Sequence, residues 1–571
     1  MMAAGLPAFQ ASATETMPLD EVRPGMQATV RTVFEGSVVE EFGAEIVTVM
    51  EDFLGPGHDL ILARLKGPRV EFTGVAAGMS GSPVYVDGRL IGALAYRMGA
   101  FMKEPIAGIT PIEYMLRVGE AAGPGAPAGI QPVSAPGAWS IEPIDTPAVL
   151  AGVPQSVLQE FAPDLARLGL GSIMHGAAAW SSSGSGAGGP PASLQPGEAV
   201  AAQLVSGDIA LAATGTVTHV DGDRVYAFGH PALVNGVTDI PMARAEIYLT
   251  LSSMQASTKL SRVLEPIGTF HQSRLPAMTG VMGPVPRMIP MRVEVSSESA
   301  PPRSYRYELA SHRDFTPPLM GLLTAASLVN TSWFADEMTL SLTGRIRMEG
   351  HEDLVLEDLF TGFSAAQSAA LALARDVQGL FGAVYQNRFE APRVTSIEMK
   401  VTSVEQSRLA IVEAVYPTRV EAEPGQTIEF RVLLRPFRGE HITRTFRWQV
   451  PEGTPEGPVN VVVGGANVIG AAERTVLARR ASQVDDLGQV ISLINGLRTN
   501  DKLYLKINRR HAGAVVQNEV LPALPPSIYA TLHSGRGTGQ VTPLAETTIH
   551  EDSIALPQII IGGTVIPISI R

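Results

Sequence analysis

Short runs rich in β-branched residues, cut at close intervals by glycine and proline, fill most of the chain's first half. "QATVRTVF" (27–34), "VVEEFGAEIVTVM" (38–50) and "DLILARL" (59–65) follow one another in this way. Branched side chains are stiff about χ1 and sit well on a pleated surface, whereas Gly-Pro clusters end such runs. A chain written like this folds as short strands joined by turns. The 57 glycines and 43 prolines, against 6% aromatic residues, carry the pattern along its whole length. Asp87-Gly88 and Asp221-Gly222 mark tight hairpins. The hairpins echo each other, "VYVDGRLIGALAY" beside "THVDGDRVYAFGH", as two similar β-barrels would.

With 571 residues, the chain exceeds one core, and about three or four domains are expected. Residues 1–16 read as a possible remnant of an export signal, with Ala11-Ser12-Ala13 resembling a cleavage site. Residues 17–118 are β and close with the short helix "TPIEYMLRVGEAA". Residues 119–206 form a connecting region with a helix from Pro154 to Leu170 and a low-complexity loop, "SSSGSGAGGPP", at 181–191. β patterning returns over 207–299, and 300–394 is α+β with a helix from 363 to about 385. Residues 395–465 alternate like a β-sandwich, and 466–571 are a C-terminal α+β region that opens with a helix over 472–498.

The bulk numbers exclude several functions. Lys plus Arg is 43 and Asp plus Glu is 56, a net charge of −13 with no basic block, so nucleic acid is not an expected partner. The absence of cysteine removes disulfides, thiolate metal sites and a cysteine nucleophile. No run reaches the length of about 18 apolar residues that a membrane span needs. Neither "HED", at 351–353 or at 550–552, continues into a zinc-peptidase helix, and both read as solvated turns. Gly184, Gly186 and Gly189 match a dinucleotide spacing, but Pro190-Pro191 stand where its helix should begin. No metal or organic cofactor is expected.

The stretch that carries chemistry is "GMSGSP", Gly78 to Pro83. Serine needs a base to take its proton and N–H donors aimed at the developing oxyanion. Glycines on both sides of Met79-Ser80 allow a sharp turn that could aim the N–H groups of Gly78 and Ser80 at one point. Position 82 is Ser, so this is not the Gly-x-Ser-x-Gly elbow of α/β-hydrolases. A Gly/Ser turn between strands is the structural alternative.

"GMSGSPVYVDGRLIGALAY", followed by "IAGITPIEYML", resembles the serine segment of the SpoIVB sporulation-protease family. The resemblance implies a chymotrypsin-like fold of two β-barrels, with Ser80 as nucleophile. "GTVTHVDGDRVYAFGHP" resembles that family's histidine segment and implies His230 as general base. The order is permuted, since in the family the histidine block comes first; triads recur in different chain orders because geometry defines them. The family's acid lies shortly before its serine, and the matching position here falls near Leu65. Asp59 and Glu71 are the nearest acids in that serine-bearing half, Asp239 and Glu246 the nearest past His230, and spacing prefers none. His58 is a rival base, His219 reads as structural, and the methionine-rich 274–291 is either core filler or a soft peptide-binding face.

The expectation is therefore a mainly β, extracytoplasmic protein with two barrels in permuted order and C-terminal accessory domains, one sandwich-like. Its function is that of a serine peptidase acting on a protein, which could be itself. The alternative, from another class, is an inert peptidase fold serving as a binding or assembly module. Oligomeric state is not legible.

Overall fold

The structure is a computed structural model. It describes residues 14–571 apart from 100–101, 121–140, 171–172, 176–192, 299–300, 332–336, 363–365, 471–485, 510–512, 517–518, 522–526, 529–540 and 545. The Ala11-Ser12-Ala13 site, the Gly184–Gly189 spacing and the first part of the 472–498 helix lie outside the described residues. The chain is mostly strand and divides into two compact units, Met1–Met291 with Arg306–Ala326, and Arg292–Tyr305 with Ser327–Arg571.

The first unit holds two closed barrels. In the first, β1 (Gln27–Val33), β2 (Val39–Met50), β3 (Leu60–Lys66), β4 (Pro83–Val86), β5 (Arg89–Met98) and β6 (Ile106–Pro111) pair in the ring β1-β2-β3-β6-β5-β4. The β4–β1 pairing closes it, and every pairing is antiparallel. Helix α1 (Pro68–Thr73) lies between β3 and β4, and α2 (Ile112–Glu120) follows β6. Alternation along the strands sends Val30, Ala44, Ile46, Ala63, Val84 and Ile109 inward to one core.

The chain then forms β7 (Ile141–Pro143), β8 (Ala148–Ala151), helix α3 (Gln155–Arg167) and β9 (Ile173–His175). Phe161 and Leu165 of α3, and Leu168 just past it, are buried, as their spacing on one helix face predicts.

The second barrel comprises β10 (Ala199–Gly207), β11 (Ala210–Asp221), β12 (Arg224–Ala227), β13 (Gly236–Leu251), β14 (Thr258–Arg274) and β15 (Ala277–Met282). Its ring is β10-β11-β12-β15-β14-β13, closed by β13 on β10. In order of appearance both rings read first-second-third-sixth-fifth-fourth. The barrel begins at Ala199, ahead of the expected 207, because the small residues of "AVAAQLVSG" pack as a fully buried strand without a β-branched signature. The echoing hairpins do not occupy equivalent places: one joins the fourth and fifth strands of its ring, the other the second and third.

In the second unit, Thr339–Met348 pairs with Leu354–Thr361 on one side and Val394–Val404 on the other, and helix Ala366–Tyr385 packs on Leu354–Thr361. The sandwich does not end at 465. Leu409–Pro417 pairs with Ile559–Ile561, and Gly457–Gly464 with Gly563–Ile570, so the C-terminal strands complete both of its sheets around Phe430, Trp448, Val461, Leu505 and Ile568. Pairings this far apart in sequence leave no local period to read. His351 sits in a turn on Glu390 at 2.7 Å, whereas the second "HED" lies on a strand, with His550 stacked on Trp448. Among the described residues no helix is long and apolar enough to cross a membrane.

Candidate active site

Ser80 lies in the connection between the third and fourth strands of the first ring, and His230 in the connection between the third and fourth strands of the second. The two barrels thus offer the same topological position to one seam.

The serine connection is a double turn: Met79 N–H donates to Ala76 O at 3.0 Å, and Ser82 N–H to Met79 O at 3.0 Å. Gly78 and Gly81 take φ of +89° and +92°, the left-handed region that only glycine enters without strain. The turn is seated on the second barrel. Thr216 N–H donates to Ser80 O at 2.9 Å, Thr216 Oγ1 to Gly78 O at 3.0 Å, and Thr218 Oγ1 to Gly81 O at 2.7 Å. A Cβ on Gly81 would overlap the Thr216 carbonyl and the Phe228 backbone.

The histidine connection docks reciprocally on the first barrel. Phe228 and Gly229 have φ of +68° and +72°, and a left-handed Phe is a strained conformer held by its surroundings. Its ring fills the space left by Gly215 and meets Phe270 edge-on. Gly229 lies against Ala93, Leu94 and Ala95 of β5, and Thr110 Oγ1 of β6 donates to Gly229 O at 2.6 Å.

Both side chains are buried, Ser80 at 0% and His230 at 2% exposure. They are not hydrogen-bonded to each other: Ser80 Oγ and His230 Nε2 are buried without a partner. His230 Nδ1 lies 2.9 Å from Pro231 O. A carbonyl only accepts, so Nδ1 carries the proton and neutral His230 presents a lone pair at Nε2. Burial pushes the imidazole down to about 4, opposed by the Pro231 carbonyl, the Asp145 charge and the Ile144 carbonyl. At neutral pH the ring is an uncharged base.

The acid that acts on His230 is Asp145, in the segment joining the barrels, and it also pairs with Arg97 at 3.1 Å. Sequence reasoning did not single it out, because "IEPIDTP" has neither motif nor period. The four expected candidates are engaged elsewhere. Asp59 accepts from Asp52 N–H and Tyr114 Oη in the β2–β3 turn, and Glu71 accepts Gly67 N–H at the start of α1. Asp239 faces His271 on an exposed strand, and Glu246 is paired with Arg262. His58 packs edge-on against Tyr114, and His219 is stacked on Tyr226, with burial lowering its pKa. In the methionine-rich stretch Met278 and Met291 are core residues.

Of the two donors expected to hold an oxyanion, Gly78 N–H donates to Asp145 O at 3.2 Å, whereas Ser80 N–H has no acceptor among the described residues. Lys259, absent from the sequence expectations, is also here. Its N–H donates to Ala77 O at 3.0 Å, its stem lies on Gly78, and its Nζ donates to Thr32 Oγ1 at 2.7 Å. Burial lowers its pKa to about 7.

No curated protein matches the chain, and no solved structure matches it. Residues 8–116, which include the whole first barrel and its serine turn, match the family model described as SpoIVB peptidase S55, and this part of the chain is similar to that peptidase family.

Proposed function

We propose that the protein is a serine endopeptidase of the cell envelope or secreted space, working by acyl-enzyme chemistry on a protein substrate. The observation that carries this reading is the pair of unpartnered atoms at the barrel seam, Ser80 Oγ and the His230 Nε2 lone pair. Ser80 Oγ attacks the peptide carbonyl while His230 Nε2 takes its proton. The Ser80 N–H, joined by Gly78 N–H once its present acceptor leaves, holds the oxyanion. His230 then gives the proton to the leaving amine, and water attacks the resulting ester by the same relay in reverse. The Pro231 carbonyl orients the imidazole, the task a carboxylate has in a triad, and Asp145 supplies a charge nearby. The barrel order along the chain, serine before histidine, is a permutation of the family's order in this reading.

The inert binding module is favoured by two observations: no carboxylate bonds His230 Nδ1, and Gly78 N–H is occupied. Labelling with a fluorophosphonate separates the two. The peptidase labels, and Ser80→Ala and His230→Ala each abolish labelling; a folded wild-type protein that stays unlabelled even when its site is opened supports the module.

A further inference from the structure

The thread that joins the barrels lies across the candidate site. β5 runs past the end of β4, and β7 pairs antiparallel with the stretch left over, Tyr96 facing Pro143, Arg97 facing Glu142 and Met98 facing Ile141. Ile144 N–H donates to Ala95 O at 2.8 Å, and the Ile144 side chain is buried in the first barrel's core. The Asp145 carbonyl takes Gly78 N–H, Pro147 stands over Gly78, and Pro147 O accepts Thr214 N–H at 3.0 Å. Arg97 holds two carboxylates of the thread, Asp145 at 3.1 Å and Glu142 at 3.5 Å. Strand pairing, a buried apolar anchor, a carbonyl on a donor suited to an oxyanion and a charge clamp are together how an edge strand holds an extended peptide.

We propose that residues 141–147 are an intramolecular occupant of the peptide groove that must lift off before a substrate enters, and that Arg97 makes this groove select extended peptides bearing acidic side chains. The proposal rests on the reading of Ser80 and His230 as the reacting pair, since it is their groove that the thread fills.

The chain has no cysteine, so Met98→Cys with Ile141→Cys gives a lock that closes on oxidation and opens on reduction. Pro143 has no N–H to give Tyr96, so alternation places Met98 and Ile141 at a non-hydrogen-bonded pair as well, close enough for a disulfide. We expect the oxidised protein to react with a fluorophosphonate at least about tenfold more slowly than the same protein reduced, as a shift between closed and open populations requires. Arg97→Ala and Glu142→Gln should each label several-fold faster than wild type. Equal rates with the disulfide open and closed overturn the occupant.

A synthetic peptide Ile-Glu-Pro-Ile-Asp-Thr-Pro should protect the Glu142→Gln variant from labelling, and its Gln/Asn counterpart should not. Equal protection overturns the role of Arg97. If no form labels, the peptidase reading fails on its own, and hydrogen exchange then decides the occupant. Faster exchange at the Gly78 and Ile144 amides in Arg97→Ala than in wild type sustains it, and unchanged exchange overturns it.

Discussion

Lys259 of β14 reaches from the second barrel into the first and ends 2.7 Å from Thr32 Oγ1, an oxygen that also accepts from Ser82 Oγ at 2.9 Å. Its amine is buried, with Thr32 as its hydrogen-bond partner. A free lysine keeps its proton to about 10.5, whereas Lys259 gives it up at about 7. Between those values the unfolded chain binds a proton that the native state does not, so stability rises with pH through that window, by about 1.4 kcal/mol per pH unit at most. Denaturant midpoints should therefore increase from pH 7 to pH 9.5. Lys259→Met keeps the stem on Gly78 without the amine and should flatten that dependence while leaving the protein more stable at pH 7.

His230 has the same sign at lower pH. Its ring is neutral in the native state down to about 4, against an ordinary 6.5. Stability is full above 6.5 and falls as pH drops from there towards 4. In a protein labelled with nitrogen-15 histidine, one imidazole should show a protonated Nδ1 and bare Nε2 at pH 6 and should titrate near 4. That resonance should be missing in His230→Gln.

Thr110→Val should weaken the site without touching it. The hydroxyl it loses is the bond to Gly229 O at 2.6 Å, which fixes the residue before His230. Leaving that carbonyl unpaired in a buried seam costs about 1–3 kcal/mol. The misplaced imidazole should slow fluorophosphonate labelling by about 10–100-fold, with Thr110→Ser restoring most of it.

Gly81→Ala should be far more damaging than its size suggests. The new methyl would meet the Thr216 carbonyl and the Phe228 backbone at a φ of +92°. The expected loss is at least about 3 kcal/mol from overpacking and strain combined, read as a fall in thermal midpoint. Gly88→Ala, with open space around its Cβ at a φ of +77°, isolates the strain alone and should cost less.

How much of this could be read from the chain depends on distance. The strands, the Asp87-Gly88 and Asp221-Gly222 turns and the glycines around Met79-Ser80 are local, and local patterns predict them. His230 was legible only through the likeness of "GTVTHVDGDRVYAFGHP" to the family's histidine segment. Asp145, Arg97 and Lys259 were not. Lys259 reads as an ordinary strand lysine until the other barrel covers it, and Asp145 sits in a proline-flanked thread with no period. Asp59, Glu71, Asp239 and Glu246, the acids that spacing offered, are held in their own turns and ion pairs, since position along a chain says little about nearness across a seam. The sandwich boundary at 465 failed for the same reason, its missing strands being supplied by residues about 100 positions later.

The shared ring order of the two barrels has a consequence for how such a protein could arise and be divided. If both descend from one ancestral fold that was doubled, then each copy kept the third connection, one now carrying Ser80 and the other His230. Neither copy is then a primitive enzyme in itself. On the proposed reading the chemistry belongs to the contact, and two fragments expressed apart should be silent alone and recover together.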